Sequence, residues 1–373
     1  MPSVPRAVPG QPGDPGTARP VGAPETSGHS TVPGKASRYL AATGRARVVG
    51  LALALIAVLV VVVVSIAVGS RTIGPGEVLR VLFADDGSTD ATIVHTLRVP
   101  RTAMGILVGA ALGVAGAVMQ ALTRNPLADP GLLGVNAGAA AAVVVGIGAF
   151  GISSALGYLP FAFVGAALAS VVVYVLGSAG RSGATPVRLA LAGTAVTAAL
   201  GAVVDALTVL DPATFDRYRF WAVGSLGGRG VEVFWAVLPT AVLGLVIALC
   251  LGRSLNALAL GEDVGRALGA GVTRTRLLSG LVVTLLAGSA TAAVGPILFV
   301  GLAVPHIARA ITGPDNRWVL AYSAVLAPLL LLVADVIGRV VVRPGELSVG
   351  IVVAIAGAPV FIALVRRRRV AHL

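Results

Sequence analysis

Over most of this chain, apolar positions do not recur at the spacings of 3.6 or 2 that mark an amphipathic helix or a half-buried strand. They run in unbroken blocks of roughly 20 residues, the length a helix rising 1.5 Å per residue needs to cross a bilayer's hydrocarbon core. Ten blocks can be laid out, at 49–70, 101–121, 131–150, 159–177, 189–210, 233–251, 277–294, 297–311, 318–338 and 347–365, the eighth of them short. The pattern predicts an all-α polytopic membrane protein of about ten transmembrane helices.

The breaks between blocks differ in charge. RSGATPVR carries Arg181 and Arg188 without an acid, and 253–276 carries Arg253, Arg266, Arg274 and Arg276. The breaks 71–97 and 211–230 mix acids with bases, and the latter holds Trp221, a residue type common at membrane interfaces. Short cytoplasmic loops collect Lys and Arg. The arginine-rich breaks are therefore expected inside and the mixed ones outside, with both termini cytoplasmic. Residues 1–48, rich in Pro, Gly, Ser and Ala, bury too little apolar surface to offset ordering entropy. They are expected to be a disordered cytoplasmic tail, and they lack the pattern of a secretory signal. The domain plan is that tail, a transmembrane domain over 49–366 and a short basic cytoplasmic tail over 367–373.

Composition narrows the function classes. The chain is 373 residues long, 56% hydrophobic and 12% charged, with a mean hydropathy of +0.93 and a formal charge of +12. Soluble domains carry about 25% charged residues. Because the basic residues sit between blocks and at the ends, their excess reports topology rather than nucleic-acid binding. The run Arg366–Arg369 reads as a topology anchor at the lipid headgroups. Cys250 is the single cysteine and lies in an apolar run, so neither a disulfide framework nor a cysteine metal site is expected. Gly105, Gly109 and Gly113 recur every four residues, the spacing that lets membrane helices approach closely.

Four stretches carry more specific information. The first holds Arg98-x-Pro100-Arg101, Gly116, Gln120, Asn125-Pro126-Leu127-Ala128-x-Pro130 and Leu133-Gly134. The second, 253–276, places Leu260, Val264, Leu268 and Val272 at every fourth residue, an apolar stripe on a short helix. Such a stripe could lie on the membrane surface or enter a groove in a partner protein. The third is Gly295-Pro296-Ile297-x-Phe299-Val300-Gly301-Leu302-x-x-Pro305-His306-x-x-Arg309, whose prolines and glycines predict a broken helix. The fourth runs Ala334-Asp335-x-x-x-Arg339, Arg343-Pro344-x-Glu346-Leu347-x-x-Gly350 and Gly357-Ala358-Pro359-x-Phe361. His306 has no Cys, Asp or Glu within helical reach, so a metal or proton-relay role is not favoured.

In this order the four stretches resemble the FecCD family, the membrane permeases of ABC importers for ferric siderophores, haem and vitamin B12. The resemblance covers about 50–365. It implies that a substrate-binding lipoprotein docks on Arg98, Arg101, Arg339 and Arg343, since matching arginines in the family pair with glutamates of that protein. The alternative for Arg339 is an ion pair with Asp335 one turn away. It implies that Leu258, Leu260, Gly261, Val264, Arg266, Ala267, Leu268 and Gly269 form the coupling segment on an ATP-binding ABC subunit, present in two copies. Gly265 departs from the alanine usual there, at about 1 kcal/mol in helix propensity. Gln120, Asn125, Pro126, Pro130, Gly134, Gly295, Pro296, Gly301, Pro305 and His306 belong to the translocation core. Asp205, an acid inside the fifth block with no family counterpart, joins that set as an intramembrane carboxylate. A second permease subunit, membrane lipid and a ferric-siderophore substrate complete the expected partners; no cofactor and no nucleic acid are implied.

Competing classes lack their signatures. A P-loop requires a lysine, and Lys35 in the tail is the only one. A secondary transporter needs mid-membrane coupling groups, for which only Asp205 is placed. Asp85-Asp86-x-x-x-Asp90 loosely matches the acidic motif of membrane prenyltransferases but has no second acidic cluster. The expectation is a transport subunit rather than an enzyme, in the bacterial inner membrane.

Overall fold

A computed structural model describes residues 44–69, 73–83, 86–179, 185–267, 269 and 271–366. Most of the predicted N-terminal tail, the basic tail 367–373, Arg181, Asp85 and Leu268 lie outside the described residues. The described chain is helical, with no strand among the described residues.

In chain order the helices are α1 (Gly44–Ala67), α2 (Pro75–Phe83), α3 (Thr89–Thr92), α4 (Val99–Thr123), α5 (Val135–Phe150), α6 (Ala155–Ser178), α7 (Pro186–Leu210) and α8 (Pro212–Ala222). They continue with α9 (Val231–Cys250), α10 (Gly252–Ala259), α11 (Glu262–Ala267), α12 (Val272–Val294), α13 (Val300–Thr312), α14 (Asn316–Val341) and α15 (Val349–Arg366). A π-helical turn at Ile93–Arg98 joins α3 to α4 in one run, and a 3-10 turn at Pro130–Leu133 precedes α5.

Seven helical runs are long and apolar enough to cross a membrane: Gly44–Ala67, Thr89–Thr123, Ala155–Ser178, Val187–Leu210, Val231–Cys250, Val272–Val294 and Asn316–Val341. Val135–Phe150, Val300–Thr312 and Val349–Ile362 are apolar but shorter. The ten predicted blocks thus fall on seven long helices and three short ones. The break 71–97 is itself largely helical, and the break 211–230 contains α8. Proline at the first turn opens α4, α7 and α8, where its missing N–H costs nothing.

α4 is the hub of the bundle. Every residue from Leu107 to Thr123 is buried, and α9, α12, α13 and α14 surround it. Lipid is as apolar as the helices it solvates, so close backbone packing rather than the hydrophobic effect holds them together. A Cβ built on Gly116 would come 1.9 Å from the Gly301 carbonyl oxygen of α13. Gly138 of α5 and Gly165 of α6 meet in the same way, each Cβ position 2.2 Å from the other's carbonyl oxygen. Any side chain at these points would separate the helices. Along α1 and α7, by contrast, most large apolar side chains face outward from the chain.

Candidate functional sites at the two ends of the bundle

The last four carbonyls of any helix lack intrahelical donors, and its C-terminus carries partial negative charge. α1 ends in Ser65, Ile66 and Ala67 with no basic residue in its last turn. The cations come from elsewhere. Arg98 donates from Nη1 to the carbonyls of Ile66 and Ala67, each at 2.7 Å. Arg339 of α14 donates from Nη1 to Ser65 O at 2.8 Å and Val68 O at 2.7 Å, and from Nη2 to Ser65 Oγ at 2.9 Å. Ser65 Oγ also lies 2.8 Å from Thr102 Oγ1 of α4.

Asp335, 1% exposed, sits beneath this cap. It accepts from Arg101 Nη2 at 2.9 Å and Nε at 3.1 Å, and pairs with Arg339 Nη2 at 3.0 Å. Arg101 Nη1 reaches outward to Glu346 Oε2 at 2.7 Å. The Arg339–Asp335 pair, given above as the alternative to docking, is therefore present, joined by an Arg101–Asp335 pair that sequence spacing could not reveal. Arg98 and Arg339 are buried rather than displayed, Arg101 is mostly covered, and Arg343 is exposed. Arg98, Arg101, Arg339 and Glu346 border a cavity of about 680 Å³ that is also lined by the glycine-rich loop 227–230 with Arg229.

In the middle of the bundle, Pro305 lacks the N–H that would bond to Gly301 O, four residues back. Gln120 of α4 supplies it, donating from Nε2 to Gly301 O at 3.3 Å and Leu302 O at 3.2 Å. The missing side chain of Gly116 lets that carbonyl come close enough. Gln120 Oε1 in turn accepts from Arg309 Nη1. The broken helix predicted around Gly295 and Pro296 is the gap between α12 and α13, with Gly295 at φ +82° and Phe299 at φ +67°. Asn125 turns the chain after α4, accepting from Leu127 N at 3.0 Å; Asp129 accepts from Gly131 N at 2.8 Å ahead of Pro130, and Gly134 adopts φ +74°. His306 is half-buried on α13, and Asp205 is exposed on α7.

The opposite end carries the second site. The apolar stripe expected on one helix is divided: α10 stops at Ala259, and Gly261, at φ +104°, turns the chain into α11. Leu255 and Leu258 are buried under α10, while Leu260 (62% exposed) and Val264 (49%) face outward. Val272 belongs to α12 and is buried. The reason is Gly261, which adopts the left-handed conformation that ends helices. Arg266, Ala267 and Gly269 are exposed, with Arg266 Nη1 at 3.4 Å from Asp263. At Gly265 an added methyl would lie 3.2 Å from Ala257 O, so the glycine lets α11 fold closely onto α10.

Asn256 of α10 reaches the start of α14, a contact the sequence did not signal. Its Nδ2 donates to Asp315 Oδ1 at 2.7 Å, and its Oδ1 accepts from Asn316 N at 2.8 Å. Asp315 is the N-cap of α14 and accepts from Arg317 N at 3.1 Å and Arg317 Nη2 at 2.9 Å. Hydrogen bonds from Arg317 and then Asn256 hold the Asp315 carboxyl down at about 2, against partial burial. One helix, α14, thus carries Asp315 and the α10 contact at one end, Asp335 and Arg339 at the other.

Comparison with known proteins adds an independent line. Residues 56–367 match the profile of the FecCD transport family. The ferric enterobactin transport system permease protein FepD of Escherichia coli is 50% identical over 304 residues, 82% of this chain and 91% of that protein. The Fe(3+)-citrate import system permease protein YfmD of Bacillus subtilis is 41% identical over 305 residues, 82% of this chain and 90% of its own. Among solved structures, a metal-chelate type ABC transporter in an inward-facing conformation aligns with TM-score 0.74 at 26% identity, covering 86% of this chain and 98% of that one.

Proposed function

Because the chain belongs to the FecCD transport family, we propose that it is the membrane permease subunit of an ATP-driven importer of iron–siderophore complexes. The three short apolar helices span together with the seven long ones, giving ten crossings and two cytoplasmic termini. The end bearing α10 and α11 then faces the cytoplasm, as its arginines favour, and the end bearing α2 and α8 faces outward.

The observation that carries the reading is the pair Leu260 and Val264. The apolar residues α10 needs for its own packing, Leu255 and Leu258, are already buried, yet these two stand in water on a polar-flanked turn. That is what a partner's groove requires. Two ATP-binding ABC subunits would take this surface, one for each permease of a pair, and their motion would pass through Asn256 and Asp315 into α14. A substrate-binding lipoprotein would dock at the outward end. There Arg101 with Glu346 and Arg343 lie nearest the surface, while Arg98 and Arg339 hold α1 and α14 in register beneath them. Gln120, the 125–134 turn and the α12–α13 break, with His306 and Asp205, form the core beside which the chelate moves. No bond chemistry is assigned to any side chain.

The test is radiolabelled iron-chelate uptake in cells carrying Leu260→Arg with Val264→Arg, with membrane levels measured. The expected result is normal insertion with loss of uptake and of the co-purifying ATPase subunit. Uptake at the wild-type rate would remove α10–α11 from the mechanism. Uptake that needs no ATP would instead point to a secondary transporter, and competition by haem or cobalamin would reassign the substrate within the family.

A further inference from the structure

α6 and α12 pack closely around Gly288, where an added Cβ would lie 3.5 Å from the Phe163 ring and 3.6 Å from Ala166 Cβ. About two turns nearer the start of α12, a Cβ on Gly280 would meet nothing within 4 Å. The space there is a groove of about 290 Å³, floored by the buried Leu122, Leu133 and Leu189. Val171 of α6 and Leu281 of α12 flank it and are exposed, so it opens sideways from the bundle. Its lining on α12 runs from Arg276 to Thr284, about 12 Å at 1.5 Å per residue. The groove therefore lies along the helix axes, the direction an acyl chain takes in a bilayer. Its volume over that length gives a cross-section of about 24 Å², too narrow for a helix roughly 10–12 Å wide but open to one extended hydrocarbon chain.

The polar groups are confined to one end. Ser170 Oγ donates to Ala166 O at 2.9 Å and Thr284 Oγ1 to Gly280 O at 3.0 Å, so both hydroxyls turn back on their own helices. Arg276, one turn into α12, and Tyr174, near the end of α6, are half-buried together at the mouth. No acid lines the groove, and the whole of α12 contains none. A guanidinium has five N–H donors, so Arg276 can serve a phosphate while keeping contacts within the protein. Tyrosine is enriched at headgroup depth, and basic pockets between membrane helices take anionic headgroups.

We infer that this groove binds one acyl chain of an anionic phospholipid, with Arg276 and Tyr174 holding its headgroup phosphate. Bound there, the lipid bridges α6 and α12 where their own packing is open. The site requires only that the chain span a bilayer; its placement in the cytoplasmic leaflet rests on the topology proposed above.

The test uses the full chain in detergent with an equal mixture of phosphatidylglycerol and phosphatidylcholine carrying identical acyl chains. Retained lipid is counted by native mass spectrometry, a reading that does not depend on transport. The wild type is expected to favour phosphatidylglycerol about fivefold, the factor one arginine contributes at an anionic membrane surface. Arg276→Gln should bring the ratio to about one, and Arg276→Lys should keep most of it. Arg274→Gln, at an exposed position outside the groove, should leave it unchanged. Gly280→Phe sets a ring in the empty space and should lower retention of both lipids.

A wild-type ratio in Arg276→Gln, an equal loss in Arg274→Gln, or unchanged retention in Gly280→Phe overturns the site. Arg276→Gln keeps the groove's shape, so it decides the matter alone if Gly280→Phe fails to insert. A wild type that retains no lipid, with a dimer that Gly280→Phe dissociates, also overturns it and gives the groove to a second copy of the chain.

Discussion

Asn256 gives the sharpest test of how motion would cross this bundle. Its side chain is the polar clamp between α10 and the first turn of α14, through Nδ2 to Asp315 Oδ1 at 2.7 Å and Oδ1 to Asn316 N at 2.8 Å. The first bond has an ionised acceptor and contributes about 1.5–3 kcal/mol; losing the second strands a buried backbone N–H at about 1–3 kcal/mol. Asn316 is buried, so water does not readily replace the lost acceptor. Asn256→Ala leaves Leu260 and Val264 in place, so the ATPase subunit is expected to bind. With the permease and ATPase subunits in proteoliposomes, ATP hydrolysis and chelate uptake are read from the same vesicles. Hydrolysis should persist while chelate moved per ATP falls at least about tenfold, a factor equal to only 1.4 kcal/mol. Asn256→Asp sharpens the test, because it sets a second carboxylate against that of Asp315. Two adjacent carboxylates raise the affinity of the pair for one proton, and the shared proton restores a donor, so this variant should recover as pH falls while Asn256→Ala does not. An unchanged ratio of transport to hydrolysis in Asn256→Ala would remove the clamp from the transmission route.

Three other outcomes follow from the packing and the ion pairs. Gly116→Ala should lower stability by about 3 kcal/mol or more, since its methyl meets backbone rather than a movable side chain; thermal unfolding in detergent reads this, and a wild-type midpoint would contradict it. Asp335→Ala removes the buried carboxylate that Arg101 and Arg339 share and should cost about 3 kcal/mol, whereas Glu346→Gln at the exposed rim should cost less than about 1 kcal/mol; equal effects would mean that Asp335 is not the centre of the network. Asp315 supplies a pH dependence. Its folded value near 2 lies below the ordinary 3.8, so its contribution is fully present above the ordinary value and is lost as pH falls towards the folded one. Asp315→Asn should flatten the acid limb of stability over that interval, and an unchanged limb would assign acid sensitivity elsewhere.

The two classes of residue were not equally legible in the sequence, for a physical reason. A block of apolar residues as long as the bilayer is thick has one outcome, a buried or lipid-facing helix, so the seven long helices are legible without knowing any contact. Gly295 and Pro296 marked the gap between α12 and α13 because those residues act on their own backbone. The stripe over 260–272 was misread by following side-chain spacing through Gly261, which as a helix-ending glycine was the available signal for two helices. Arg98 and Arg339 depended on a need elsewhere. α1 ends without a basic residue of its own, and the donors that satisfy it come from 31 to 274 residues further along the chain. No local pattern carries that information, but a ledger of helix-end carbonyls does: a long helix ending in Ser-Ile-Ala-Val-Gly must borrow cations, and the arginines that open α4 and close α14 are the ones at the right depth. The same ledger explains Gln120, the donor for the carbonyl that Pro305 leaves without a partner. Arginines at membrane depth should therefore be matched first against unsatisfied carbonyls, and only those left over assigned to partners.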